Sequence, residues 1–248
     1  MNGSLVVVGT GPGKSELMTA ATQTALARAT DLVGYGPYLD RVPQRRFQRR
    51  HASDNRVELE RARLALSLAA AGRHVAVVSG GDPGVFAMAA AVFEAVEAGD
   101  PAWQELDIRV EPGVTAMLAA AAEVGAPLGG DFCAISLSDN LKAWSTIERR
   151  LTLAAEADFV IALYNPASKA RPHQLGQAFE LLKKVKAAAT PVLFVRAAGT
   201  ADAEVITTTL GNVDPSRADM RTLVIVGAST TRQVGRWVYT PRGERGTP

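Results

Sequence analysis

Residues 74–86, HVAVVSGGDPGVF, constrain this chain more than any other stretch. Residues 75–78 are an unbroken, mostly β-branched run, the pattern of a strand buried on both faces. The run empties into Ser79-Gly80-Gly81-Asp82-Pro83-Gly84, and residues 85–96 then show helical spacing with few charges. Strand, glycine-rich loop and helix in that order put the loop at the carboxyl end of a parallel strand, where open α/β sheets bind ligands. Two adjacent glycines let a ligand approach the backbone, and a side chain at Gly81 would occupy that approach. Asp82 is suited either to accept hydrogen bonds from a ligand or to cap the following helix, and the residues leave both readings open.

Residues 5–8 repeat the buried-strand pattern and run into Gly9-Thr10-Gly11-Pro12-Gly13-Lys14-Ser15. Two phosphate-binding loops are nearly matched here and both fail. The third glycine of a dinucleotide fingerprint falls on Lys14, and the first glycine of a P-loop falls on Val8. Pro12 also lacks the N–H that a phosphate cradle needs. A glycine loop against a flat or apolar ligand is the better functional reading.

The rest of the chain continues the strand–helix theme. Helices are expected over 19–29 and 58–71, and a strand over 108–111. Glu111-Pro112-Gly113-Val114-Thr115 reads as a domain junction, giving domains 1–114 and 115–248. The alanine-rich helix expected over 114–124 is nearly uncharged and reads as buried all round. Beyond it, strands are expected over 132–137, 159–163, 191–195 and 223–226, with a helix over 147–155. Residues 168–173 read as the cap of a helix reaching Lys186. Residues 204–210 alternate and suit a half-exposed, antiparallel strand. Residues 235–248 read as a loose tail. The fold class is α/β: two α/β domains with mostly parallel sheets flanked by helices.

Several function classes drop out on composition. A net charge of +2 and 6% aromatics give no basis for a nucleic-acid surface. The single Cys133 rules out an internal disulfide framework, fits a reducing compartment, and sits in an apolar strand as a core residue. His51, His74 and His173 offer no metal-ligand spacing, so no metal is expected. No apolar run approaches the roughly 20 residues of a membrane span, and the first strand begins too early for a signal peptide. The chain therefore reads as cytoplasmic, with no membrane or nucleic-acid partner. Ser79 has Val77 where a nucleophile elbow needs glycine. Residues 41–51 hold five arginines. They form either a solvated basic loop or a flap offering guanidinium forks to a ligand with several carboxylates.

Taken together, Val8-Gly9-Thr10-Gly11-Pro12-Gly13, Ser79-Gly80-Gly81-Asp82-Pro83 and Pro112-Gly113-Val114-Thr115-Ala116 resemble the tetrapyrrole (corrin and porphyrin) methylase family. The resemblance runs over roughly residues 5–231. Residues 34–43, 136–142 and 163–172 further resemble the members that act on C17 of precorrin-3B. It implies two α/β domains with S-adenosylmethionine in the cleft between them, and a homodimer. The implied reaction is C17 methylation with ring contraction to precorrin-4, in cobalamin biosynthesis. Cofactor contacts carry over to Pro12, Gly80, Gly81, Asp82, Thr115, Ala116, Tyr164 and Asn165, with Ala197 and Ala198 as weaker carry-overs. A sulfonium already carries an activated methyl group, so positioning replaces a nucleophile or metal. Ring contraction also needs proton transfers, for which Asp82, Asp139, Lys169 and His173 are unranked candidates. The carboxylates of a precorrin favour the flap reading for Arg45, Arg46, Arg49 and Arg50. Left open beside this are methylation of the cobalt-containing intermediate, an RNA ribose methylase, a nicotinamide-dependent dehydrogenase and a non-catalytic tetrapyrrole-binding module.

Overall fold

Alternation along the apolar runs decides the first sheet. In β1 (Ser4–Gly9) Leu5 and Val7 point to one face and Val8 to the other, and all three are fully buried. Both faces therefore need cover, which helices supply in this computed structural model, describing residues 3–54 and 57–243. The chain continues through α1 (Ala20–Arg28), β2 (Asp31–Tyr35), α2 (Gly36–Leu39) and β3 (Arg49–Ser53). Then follow α3 (Glu58–Ala70), β4 (His74–Ser79), α4 (Met88–Glu97) and β5 (Asp107–Glu111). The strands form one parallel sheet in the order β3-β2-β4-β1-β5.

Leu26 of α1 and Ala29, which caps its end, cover Val8, Ala76 and Val78 on one face. Ala62 and Leu66 of α3, with Met88 and Val92 of α4, cover Leu5, Val7, Val75 and Val77 on the other. Adjacent β1 and β4 thus send their chains to opposite faces and opposite flanks. That is a topological switch point, and their carboxyl ends border a crevice.

The chain divides into two units, Met1–Ala116 and Met117–Pro248. The second begins within α5 (Ala116–Val124), followed by β6 (Gly125–Ala126), β7 (Phe132–Ser136) and α6 (Trp144–Glu156). Then come β8 (Val160–Tyr164), α7 (Gln174–Leu182), β9 (Pro191–Arg196), β10 (Glu204–Thr209) and β11 (Thr222–Val226). The sheet order is β10-β9-β11-β8-β7. Only β7 and β8 pair in parallel; β11 opposes both of its neighbours, and β10 opposes β9. Ile147 and Leu151 of α6, with Leu175 and Phe179 of α7, pack on Ile161, Leu163, Phe194 and Val224. Phe179 meets Phe194 edge-on with centroids 6.0 Å apart.

Several expectations need correction. The helix after the central loop starts at Met88 rather than Val85, because Ala89 N bonds Pro83 O and Phe86 takes φ 53°. The next helix starts at Ala116 rather than Val114. It is not buried all round, since Leu118 is 51% exposed. Residues 41–51 are not one flap: Arg49, Arg50 and His51 belong to the edge strand β3, whose alternation is masked by charge. The helix expected to reach Lys186 ends at Leu182, and His173 makes no side-chain cap bond. The end of the chain is not a loose tail as far as it is described. β12 (Arg232–Val234) and β13 (Trp237–Tyr239) join β6 in a small sheet, Val238 is 0% exposed, and Thr240 Oγ1 donates to Pro127 O at 2.6 Å. Three-residue strands are too short to leave a hydrophobic period. Among the described residues no helix is long and apolar enough to cross a membrane.

Candidate active site

Three glycine loops leave the adjacent strands β4, β1 and β5, and their backbones touch. Gly11 N donates to Gly81 O at 3.1 Å, and Gly81 N returns a bond to Gly11 O at 2.9 Å. Gly11 and Gly81 reach this bridge at φ 72° and 62°, where a side chain would be strained. A Cβ on Gly9 would lie 2.7 Å from Gly81 O and 2.8 Å from Gly113 N. The sequence reading missed this role of Gly9 and Gly113, because close backbone packing leaves no mark beyond the glycine itself.

Asp82 ties the loops together. Its Oδ1 accepts from Gly84 N at 2.8 Å and its Oδ2 from Gly113 N at 3.0 Å. The carboxylate thus joins the β4 and β5 exits across the β1 loop, a positioning role written in backbone amides. Thr115 and Ala116 come to the same place. A Cβ on Gly81 would sit 3.8 Å from Thr115 Cα and 3.9 Å from Ala116 N, in ordinary van der Waals contact with both. Tyr38 of α2 stands behind the loop, and a Cβ on Gly80 would strike its ring at 2.7 Å. Its neighbours are Tyr35, edge-on at 5.4 Å, and the Arg41 guanidinium, 5.5 Å from its ring centroid. Pro12 is half-buried in the β1 loop.

In the second unit the predicted residues again lie at strand exits. Tyr164 ends β8, and its hydroxyl accepts from Met117 N at 3.0 Å in the first turn of α5. Asn165 follows at φ 53°; its Nδ2 donates to Ser136 Oγ at 2.9 Å, and its carbonyl accepts from Arg171 Nη1 at 3.2 Å. Ala197, at the end of β9, takes φ 50°, a strain of about 1–2 kcal/mol for a residue with a Cβ. Thr200 Oγ1 donates to its carbonyl at 2.8 Å, and Glu123 Oε1 accepts from Gly199 N at 3.2 Å, which holds the Ala197–Ala198 exit. Left-handed backbone at non-glycine residues collects at functional sites, and two of the four described cases are here.

The proton-transfer candidates are not gathered equally. Asp139 is exposed and accepts from Gln174 Nε2 at 3.3 Å, next in sequence to exposed His173. Lys169 is exposed in a turn closed by Ser168 and Arg171. Burial pushes the Cys133 thiol above its usual range, so it is not an activated nucleophile. Among the described residues no three His, Cys, Asp or Glu side chains gather as a metal site. Arg45, Arg46 and Arg49 are exposed, whereas the Arg50 guanidinium turns inward to the Val42 carbonyl.

A sequence model of the tetrapyrrole (corrin/porphyrin) methylases matches residues 4–214. The chain belongs to this family. The precorrin-3B C(17)-methyltransferase of Sinorhizobium sp is 60% identical to this methylase over 247 residues, 98% of this chain and 97% of that protein. The probable cobalt-factor III C(17)-methyltransferase of Salmonella typhimurium is 44% identical, over 96% of this chain and 98% of its own length. The crystal structure of the methyltransferase CobJ matches this methylase with a TM-score of 0.94 at 53% identity, covering 96% of this chain and 100% of that one.

Proposed function

We propose that this methylase transfers the methyl group of S-adenosylmethionine to C17 of precorrin-3B and promotes ring contraction to precorrin-4, in cobalamin biosynthesis. The observation that carries the reading is the 60% identity to a precorrin-3B C(17)-methyltransferase over nearly the full length of both chains. The lower identity, 44%, to the cobalt-factor III relative favours the metal-free substrate.

The residues fit the cofactor. At the half-buried Gly80 and Gly81 the loop presents backbone rather than side chains, which lets a ligand come close. Pro12, Gly80, Gly81, Thr115 and Ala116, with Tyr164, Asn165, Ala197 and Ala198, are proposed to hold it, and Asp82 to orient the loops. The bound sulfonium supplies an activated methyl group. The chain's own work is to hold the ring carbon in line and to exclude water. Arg45, Arg46 and Arg49 are proposed to meet substrate carboxylates as charge-assisted forks, with Arg50 shaping the turn before them. Asp139, which accepts from Gln174 Nε2, and His173, next to Gln174 in sequence, are favoured for proton transfer over Lys169. The domains 1–114 and 115–248, a homodimer and a cytoplasmic location belong to the same proposal, supported by the family resemblance and the single cysteine.

The deciding experiment supplies purified protein with labelled S-adenosylmethionine and either precorrin-3B or cobalt-factor III. Methyl incorporation into precorrin-3B is expected; incorporation into cobalt-factor III alone would sink the metal-free reading. S-adenosylhomocysteine should raise the melting temperature while NAD does not. Gly81→Ala tests the loop. The φ of 62° should cost about 1–2 kcal/mol of stability, and calorimetry should register weaker S-adenosylhomocysteine binding. Gly81→Val is a poorer probe, because a β-branched residue at this φ disturbs folding and binding together. Unchanged affinity in Gly81→Ala would remove this loop from the cofactor site.

A further inference from the structure

A second recess opens at the carboxyl ends of β2 and β3, about 330 Å³ in volume and lined by Tyr35, Gly36, Pro37, Ala52, Ser53 and Asp54. The parallel register sets Tyr35 beside Ser53, at the same end of the sheet as the glycine loops. Behind the recess lies Arg61 of α3, only 5% exposed. Its Nε donates to Ser53 Oγ at 2.8 Å, its Nη2 to Asp54 O at 2.6 Å and its Nη1 to Met88 Sδ at 3.2 Å.

Among the described residues, no carboxylate lies within ion-pair distance of Arg61. Burial lowers its pKa, with Glu58 and Tyr38 pulling the other way. A buried guanidinium without a contacting counter-ion is costly, and its field acts on whatever sits in front of it. What sits in front is Ser53. Because Ser53 Oγ accepts from the guanidinium, its own hydrogen must point to another acceptor, and the described residues supply none. A hydroxyl polarised in this way is a strengthened donor at the wall of the recess.

We infer that this recess receives one carboxylate arm of the tetrapyrrole, with the Ser53 hydroxyl donating to it and Arg61 as the positioning residue behind. The inference rests on the substrate class proposed above. A guanidinium touched by no carboxylate among the described residues selects an anion over a neutral acceptor, although the more distant Glu58 offsets part of its charge. Asp54 lines the same recess and is exposed, so its charge opposes the arm and limits its affinity. The two side chains therefore have effects of opposite sign.

The test titrates uroporphyrin I, a stable polycarboxylate tetrapyrrole, into the whole protein and follows porphyrin fluorescence. Ser53→Ala should weaken binding about tenfold. Ser53→Thr, which keeps the hydroxyl, should stay within about threefold of wild type. Asp54→Asn should tighten binding about two- to fivefold, less so in high salt. S-adenosylhomocysteine affinity should hold in all three variants. Ser53→Ala also removes a partner of Arg61, so its melting is recorded, whereas Asp54→Asn removes no described hydrogen bond. Equal porphyrin affinity in Ser53→Ala and wild type overturns the inference, as does a wild type that binds no porphyrin. Weaker binding in Asp54→Asn overturns the carboxylate and assigns a group that both donates and accepts. A protein that passes these tests yet transfers no methyl group to precorrin-3B keeps the subsite and loses the proposed reaction.

Discussion

Gly113→Ala is expected to destabilise the protein by about 3 kcal/mol, roughly 6–12 °C in melting temperature, and to abolish S-adenosylhomocysteine binding. The added Cβ would lie 2.2 Å from Gly81 O and 2.9 Å from Gly9 Cα. Both obstacles are backbone, held by the strands β4 and β1, so no side-chain rotation relieves them. Separation of the β5 exit would also pull Gly113 N away from Asp82 Oδ2, now 3.0 Å distant. Gly176→Ala is the matched control. It adds the same methyl group inside α7, where the nearest atom is Pro215 Cγ at 3.7 Å. There the higher helix propensity of alanine should stabilise by about 0.5–1 kcal/mol. Similar melting curves for the two variants would mean that the three glycine exits do not touch.

Asp31→Ala should cost about 2–3 kcal/mol, because it takes the shared acceptor from Arg73, His51 and Thr30 at a buried position. The Asp31 side chain, 1% exposed, accepts from His51 Nε2 at 2.9 Å, Arg73 Nε at 2.7 Å and Thr30 Oγ1 at 2.8 Å. Burial alone would raise its pKa, but the bonds from His51, Arg73 and Thr30 outweigh it and hold the carboxyl below the usual range. A depressed folded-state pKa contributes stability that is complete above the unfolded value, about 3.9, and is lost as pH falls through the folded one. The gap between wild type and Asp31→Asn should therefore be wide at neutral pH and close below about pH 4. Urea unfolding across that range measures it. A gap that stays constant with pH would show that shape, not charge, makes the Asp31 contribution.

The sequence made the first sheet legible for a simple physical reason. Runs such as residues 5–8 and 75–78 are apolar on both faces, which only a doubly covered strand allows. The glycine exits were legible for a related one, since adjacent glycines weaken a loop unless something must come close. Other features left no such trace. The direction of β11 is invisible because a fully buried run reads the same in either sense. Asn165 is of a type that tolerates left-handed backbone, but nothing in Arg196-Ala197 announces it. Arg61 reads as an ordinary charge near the start of α3, and only the folded register sets it behind Ser53. Asp82 stands out in the sequence, but its partners, the amides of Gly84 and Gly113, cannot be read from side-chain chemistry.

The placement of β3 at the rim of its sheet has a further consequence. One side of this strand pairs with β2, and along the other no strand pairs with it among the described residues. An open strand edge is a template on which another chain can polymerise, and charged side chains are the common safeguard. Here Arg49, exposed on β3, and Arg45 and Arg46 in the approach to it supply that charge. The arginines proposed to grip substrate would thus also protect the chain from self-assembly. Neutralising them would remove a barrier to aggregation along with any contact to a ligand. Solubility, not only catalysis, would then restrict which residues this edge tolerates.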